Sequence, residues 1–183
     1  MFKAFYPDED VISTYEIPFG ELYDKGIRGV IFDIDNTLVP HGAPADGRAK
    51  KLFQGLRELG METCLLSNNK EPRVASFARG VGGAHYIYKG NKPGIKGYQS
   101  AMKLMGTNAR QTVFVGDQLF TDVYGAKRAG IRSILVRPIH PREEFQIVLK
   151  RFLEAVVLYF YHRDKKNKQA LIQESPDAGK RRF

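Results

Sequence analysis

Val30-Ile31-Phe32-Asp33-Ile34-Asp35-Asn36-Thr37-Leu38 decides the reading of this chain. The apolar run Arg28 to Asp33 suits a buried strand, and two carboxylates follow it at positions i and i+2. An Asp-x-Asp after a strand is also an ordinary turn, because Asp and Asn bond local backbone groups there. What surrounds it separates the two readings. After it, helix-like and strand-like segments alternate. Gly47 to Leu59 carries apolar residues at helical spacing and stops at Gly60, and Glu62 to Ser67 is the next strand. Pro72 opens a helix that includes Val74, Phe77 and Ala78, and Tyr86 to Tyr88 is a short strand. Ile95 to Met105 is a helix, Gln111 to Gly116 a strand, Asp122 to Ala129 a helix, and Ile131 to Val136 a last strand. Repeated strand–helix–strand order predicts an α/β fold, a three-layer Rossmann-like parallel sheet with helices on both faces. Sites in such sheets lie beyond the carboxyl ends of the strands, which picks out Asp33, Ser67 and Asp117.

The second acidic signal is Val113-Phe114-Val115-Gly116-Asp117-Gln118-Leu119-Phe120-Thr121-Asp122. Taken alone it could be helix capping by Thr121 or Asp122. Two acidic strand ends in one sheet make a hard-cation site of oxygen ligands, which suits Mg²⁺. Ser67-Asn68-Asn69 offers a hydroxyl, amides and backbone N–H groups for a phosphate, and Lys92-Pro93-Gly94 supplies a cation before a helix. Each is commonplace alone. Their order along the chain, each between the right elements, is not.

In that order the chain resembles the haloacid dehalogenase-like (HAD) phosphatase superfamily, over roughly residues 28 to 136. The motifs are Asp33-Ile34-Asp35-Asn36-Thr37, Ser67, Lys92 and Gly116-Asp117 to Asp122. The resemblance implies catalytic roles for Asp33, Asp35 and Lys92. Asp33 would attack phosphorus, giving an aspartyl-phosphate, and Asp35 would protonate the leaving alkoxide and then activate water. It implies Mg²⁺ on Asp33, on Asp35 through its backbone carbonyl, and on Asp117. Asp122 would hold a metal-bound water or Lys92. Thr37, Ser67, Asn68 and Lys92 would serve substrate binding, Thr37 by orienting the loop.

Only 29 residues, Leu38 to Leu66, separate the first motif from Ser67, so no cap domain fits there. Among capless members, subclass IIIA, the chain looks most like the YqeG-like group, which is similar to mitochondrial phosphatidylglycerophosphate phosphatases. The features are Phe32 to Leu38, Leu66-Ser67-Asn68-Asn69, Asn91-Lys92-Pro93 and Gly116 to Asp122. A phosphomonoester substrate follows from this resemblance, with a lipid phosphate as one reading and a soluble nucleotide or sugar phosphate as the other.

Charge and composition bound the rest. The net charge is +9, with 29 basic and 20 acidic residues, and 43% of residues are hydrophobic. That composition excludes a disordered chain and a membrane bundle. A single cysteine, Cys64, excludes a disulfide framework within the chain. From Lys150 to the end there are 9 basic and 4 acidic residues. The reading expects one domain over 1–162 and a basic, flexible tail over 163–183. Phe145 to Tyr161 is very apolar and bracketed by basic residues. Such a segment is either a last core helix or an interfacial helix drawn to an anionic membrane surface. The basic charge also allows a nucleic-acid or ribosome-associated module. No nucleic-acid motif carries that charge, and a binder needs no complete acidic set. The N-terminus has no basic start followed by an apolar run, and no stretch reaches spanning length. The expectation is a cytoplasmic protein, peripheral at the inner membrane face if the lipid reading holds, with its oligomeric state left open.

Overall fold

The computed structural model describes residues 2–140 and 154–167. These fall in two compact units, one beginning at Pro7 and running through residue 140, the other joining residues 2–6 to 154–167.

The first unit is a six-stranded sheet with every neighbouring pair parallel, in the order β1-β6-β5-β2-β3-β4. The strands are β1 (Glu9–Val11), β2 (Gly29–Phe32), β3 (Glu62–Leu66), β4 (His85–Ile87), β5 (Thr112–Gly116) and β6 (Arg132–Val136). The helices are α1 (Phe19–Asp24), α2 (Gly47–Glu58), α3 (Glu71–Gly80), α4 (Ile95–Met105) and α5 (Tyr124–Arg128). Because side chains alternate across a strand, each central strand feeds two cores. Val30, Phe32, Leu65, Val113 and Val115 pack with Leu22 of α1, Phe53 and Leu56 of α2, and Val74 and Phe77 of α3. Ile31, Cys64, Leu66 and Phe114 pack on the other face with Tyr98, Ala101 and Met105 of α4 and Ala126 of α5. This is the expected three-layer arrangement. The segment between the first motif and Ser67 holds only a turn, α2 and β3, with no cap domain.

The structure adds elements that periodicity does not predict. β1 is only three residues, two of them acidic, yet it pairs along β6 from Glu9↔Ile134 to Val11↔Val136. Its register is held from outside the strand, where Ser133 N and Oγ donate to Asp8 Oδ2 at 2.8 and 2.9 Å. The helix expected over Asp122 to Ala129 is α-helical only from Tyr124. Leu119–Val123 forms a π-turn that runs into α5, a local widening common at functional sites.

In the second unit, residues 154–167 are helical. Tyr6 Oη donates to Asp164 Oδ2 at 3.2 Å, and the Tyr6 and Tyr161 rings meet edge-on at 5.2 Å. The expected apolar segment 145–161 is described only from 154, and of the expected tail only 163–167; the remainder lies outside the described residues. Among the described residues, no helix is long and apolar enough to cross a membrane.

Candidate active site

β2 and β5 are neighbours in register, Phe32 opposite Val115, so their carboxyl ends open side by side. Asp33 continues the ladder through its N–H to Val115 O at 2.9 Å, and Asp117 follows β5 directly. The π-turn brings Asp122 back to the same place. Asp33, Asp117 and Asp122 are all buried, and each offers an oxygen within 4.8 Å of the others. Gly116 allows this closeness: a Cβ there would lie 2.5 Å from Asp122 Oδ2 and 2.7 Å from the Phe114 ring.

Lys92 enters the group from the loop before α4. Its Nζ donates to Asp33 Oδ1 at 2.6 Å and to Asp122 Oδ1 at 2.7 Å, with only 4% of the side chain exposed. Burial works against its charge, but Asp122 and Asp33 override that and raise its pKa, so Lys92 stays cationic. Burial pushes Asp33 up to about 6; Lys92 opposes the shift, and the charges of Asp122 and Asp35 add to it. A carboxylate that is costly to ionise beside other carboxylates is one that a cation would stabilise. Three carboxylates and one ammonium have a formal balance of −2, which a dication offsets. Hard oxygen donors and this charge together fit Mg²⁺.

Asp35, two residues on, faces elsewhere. Its carboxylate lies outside the three-acid group and accepts from Arg73 Nη2 at 2.8 Å, Gly42 N at 2.9 Å and Asn69 Nδ2 at 3.4 Å. Burial would raise its pKa, but the bonds from Arg73 and Gly42 outweigh it and hold the group below the usual carboxylate range. Any part of Asp35 in a metal site is thus confined to its backbone carbonyl.

The remaining sequence candidates divide between the acid–lysine group and its frame. Ser67 is buried at the end of β3, and its Oγ accepts from Asn69 N at 3.2 Å. Asn68 is used on the protein itself: Oδ1 accepts from Lys92 N at 2.7 Å and Nδ2 donates to Lys92 O at 3.1 Å. Thr37 Oγ1 donates to Asp117 Oδ1 at 3.3 Å, and Thr37 O accepts from Thr14 Oγ1 at 2.8 Å. Both residues therefore position other site groups.

Sequence reasoning missed Arg73 and Tyr98. Arg73 sits in the first turn of α3, and first-turn residues of helices that follow strands face the carboxyl end of the sheet; that rule could have found it. Tyr98 is fully buried, and its hydroxyl donates to Thr121 O at 2.9 Å and Asp122 O at 3.2 Å, bracing the π-turn.

The site thus sets Asp33 at the end of β2 and Asp117 just past the neighbouring β5, with the buried Lys92 bridging Asp33 to Asp122 of the π-turn. A HAD-hydrolase-like family model matches residues 90–138. The chain is similar to a probable phosphatase, YqeG, of Bacillus subtilis, with 36% identity covering 85% of this chain and 91% of that protein. It is similar to the chloroplastic phosphatidylglycerophosphate phosphatase 1 of Chlamydomonas reinhardtii, at 30% identity over 70% of this chain and 52% of that one. This chain thus spans about half of the algal protein's length. Among solved structures, an uncharacterised protein from Corynebacterium glutamicum shares the fold, with a TM-score of 0.51 and 22% identity over 70% of this chain and 94% of that one. The chain belongs to the haloacid dehalogenase-like phosphatase superfamily, in its YqeG-like group.

Proposed function

We propose that this protein hydrolyses phosphomonoesters in two displacements at Asp33. The observation that carries the reading is the buried Asp33–Lys92–Asp122 bridge with Asp117 beside it. An Asp33 carboxylate oxygen attacks phosphorus while the bond to the alcohol oxygen breaks, and Asp35, ionised at rest beside Arg73, relays to that oxygen a proton taken from the monoanion of the bound phosphomonoester. Water then attacks the aspartyl-phosphate, Asp35 takes its proton, and phosphate leaves Asp33 regenerated. Lys92 and Ser67 bind phosphoryl oxygens, and Lys92 also offsets the charge of the nucleophile. Asn68 and Thr37 hold Lys92 and Asp117 in place. Mg²⁺ is the proposed cofactor; Asp33, Asp117 and the Asp35 carbonyl would hold it, and Asp122 would hold a metal-bound water or Lys92. When bound, it draws charge off the phosphoryl oxygens.

The proposed substrate is phosphatidylglycerophosphate or a similar lipid phosphate. The names of the algal relative and the absence of a cap between the first motif and Ser67 support this. An enzyme for such a substrate works at an anionic membrane surface, on the cytoplasmic side. Residues 154–167 support that placement: Val156 and Tyr159 are exposed, as are Arg163, Lys165 and Lys166 farther along the same helix. A binding-only role at nucleic acid leaves the buried acid–lysine bridge unexplained. The test is a panel of phosphomonoesters, including phosphatidylglycerophosphate in mixed micelles, assayed with Mg²⁺ and with chelator for wild type and Asp33→Asn. Mg²⁺-dependent turnover lost in the variant is expected. A soluble ester outpacing the lipid would replace the substrate assignment, and equal rates in both proteins would remove the mechanism.

A further inference from the structure

We infer that Arg73 binds a second anionic group of the substrate, a phosphate diester carried by the alcohol side of the scissile ester. This rests on the phosphatase reading above and extends it to substrate selection.

The cations of the site sort to two sides. Lys92 is taken by Asp33 and Asp122, the side on which phosphorus is attacked. Arg73 is taken by Asp35, whose carboxyl serves the oxygen that leaves. A group bonded to Asp35 therefore stands by the alcohol, not by the phosphoryl oxygens. Arg73 is also underused. Its Nη2 donates to Asp35 Oδ1 at 2.8 Å, while its Nε is buried and has no hydrogen-bond partner. Asp35 does not depend on Arg73 alone, since Gly42 N and Asn69 Nδ2 also reach it. The guanidinium Cζ lies 5.4 Å from the centroid of the buried Phe77 ring, so the core backs it. Its side chain nonetheless keeps 17% exposure, so a ligand can reach it.

A lysine would suffice to neutralise Asp35. A guanidinium offers five N–H donors in a planar fork, suited to two oxygens of one phosphate. Nε itself is enclosed, so a ligand meets the exposed end of the fork, where Asp35 takes only one donor, on Nη2. The ligand class is therefore a phosphomonoester whose alcohol bears a second phosphate anion. A lipid head group and its deacylated, water-soluble counterpart share that chemistry.

The test compares kcat/KM for wild type, Arg73→Lys and Arg73→Ala with Mg²⁺. The substrates are glycerol 3-phosphate, glycerophosphoryl-glycerol phosphate, and phosphatidylglycerophosphate in mixed micelles. Wild type should prefer the two diester-bearing substrates. Removing Arg73 slows all three, because Asp35 loses a partner, so the readout is the ratio between substrates. That preference should fall roughly tenfold to a hundredfold in Arg73→Ala, mainly through KM, as expected for a lost charge-assisted pair. Arg73→Lys should restore part of it, and keeps the test open if the alanine variant folds poorly. An unchanged ratio, with all substrates slowed alike, would overturn the inference and leave the phosphatase reading standing. A ratio that changes for the micellar lipid but not for its soluble head group would also overturn it, since surface charge would then be the cause. Wild type that hydrolyses none of the three would sink the phosphatase reading itself.

Discussion

Asn68 clasps the backbone of Lys92 from both sides: the Lys92 N–H donates to Asn68 Oδ1 at 2.7 Å, and Asn68 Nδ2 donates to the Lys92 carbonyl at 3.1 Å. This ties the loop before α4 to the end of β3. The lysine that bridges Asp33 and Asp122 is thus aimed by a residue that never touches them.

Asn68→Ala should therefore act through Lys92. Losing two partly buried hydrogen bonds costs about 1–3 kcal/mol, visible as a lower Tm. A misplacement of about 1 Å at a reacting centre can cost roughly a hundredfold, so kcat should fall well beyond the loss of folded protein. Unchanged kcat in the folded variant would show that the clasp does not position the lysine.

Tyr98→Phe should loosen Asp122 through its backbone alone. The hydroxyl braces the carbonyls of Thr121 and Asp122, and Gly125 makes room for the ring. The Mg²⁺ concentration for half-maximal activity should rise several-fold. Stability should drop by about 1–2 kcal/mol, because two buried carbonyls lose a donor. An unaltered Mg²⁺ dependence alongside the same stability loss would confine Tyr98 to packing.

Metal-free protein should lose stability as pH rises from about 4 to about 7. The pKa of Asp33 is raised in the fold to about 6 by burial, so the native state binds the extra proton in that window and ionisation opposes folding above it. Asp35 and Asp8, whose pKa values are lowered, contribute in the opposite sense below their ordinary values, so the Asp33 component is read by difference against Asp33→Asn. Mg²⁺ at one fixed concentration, about a hundred times its Kd at pH 7, should add about 2.7 kcal/mol there and less at lower pH, where protonated Asp33 weakens its binding. Thermal melts with and without Mg²⁺ across pH check this; a gain independent of pH would place the ion elsewhere.

Neutralising Lys165, Lys166 and Lys168 should weaken binding to anionic vesicles by roughly two orders of magnitude, at about 1 kcal/mol per basic residue near the surface. The first two are exposed on the helix 154–167, and Lys168 lies outside the described residues. Activity on a small soluble ester should hold, since every proposed catalytic residue lies at or before Asp122. Co-sedimentation at low salt is the measurement, and binding equal to wild type would remove the surface role.

Much of this was legible in the sequence because the signals were local. Apolar runs ending in Asp33, Ser67 and Asp117 gave the central strands, their shared direction and the site end of the sheet. The rest depended on pairings between distant parts of the chain. β1, Glu9 to Val11, has no apolar alternation and is a strand only because β6 offers an edge and Asp8 anchors it to Ser133. The resemblance assigned Asn68 and Thr37 to substrate binding, whereas their hydrogen-bond partners lie 24 and 80 residues away. Arg73 was hidden because a helical arginine usually reads as surface charge, and nothing in its neighbours announces Asp35.

The nucleophile is tested most directly by trapping. Asp35→Asn protein, mixed with 4-nitrophenyl phosphate and Mg²⁺, needs little help from a general acid in the first step but lacks the base for the second. Acid quench, digestion and mass spectrometry should then find one phosphoryl group on the peptide that contains Asp33, and none when Asp33 is also changed to Asn. A burst of nitrophenolate with no phosphorylated peptide, or a phosphoryl group that persists without Asp33, would contradict the account.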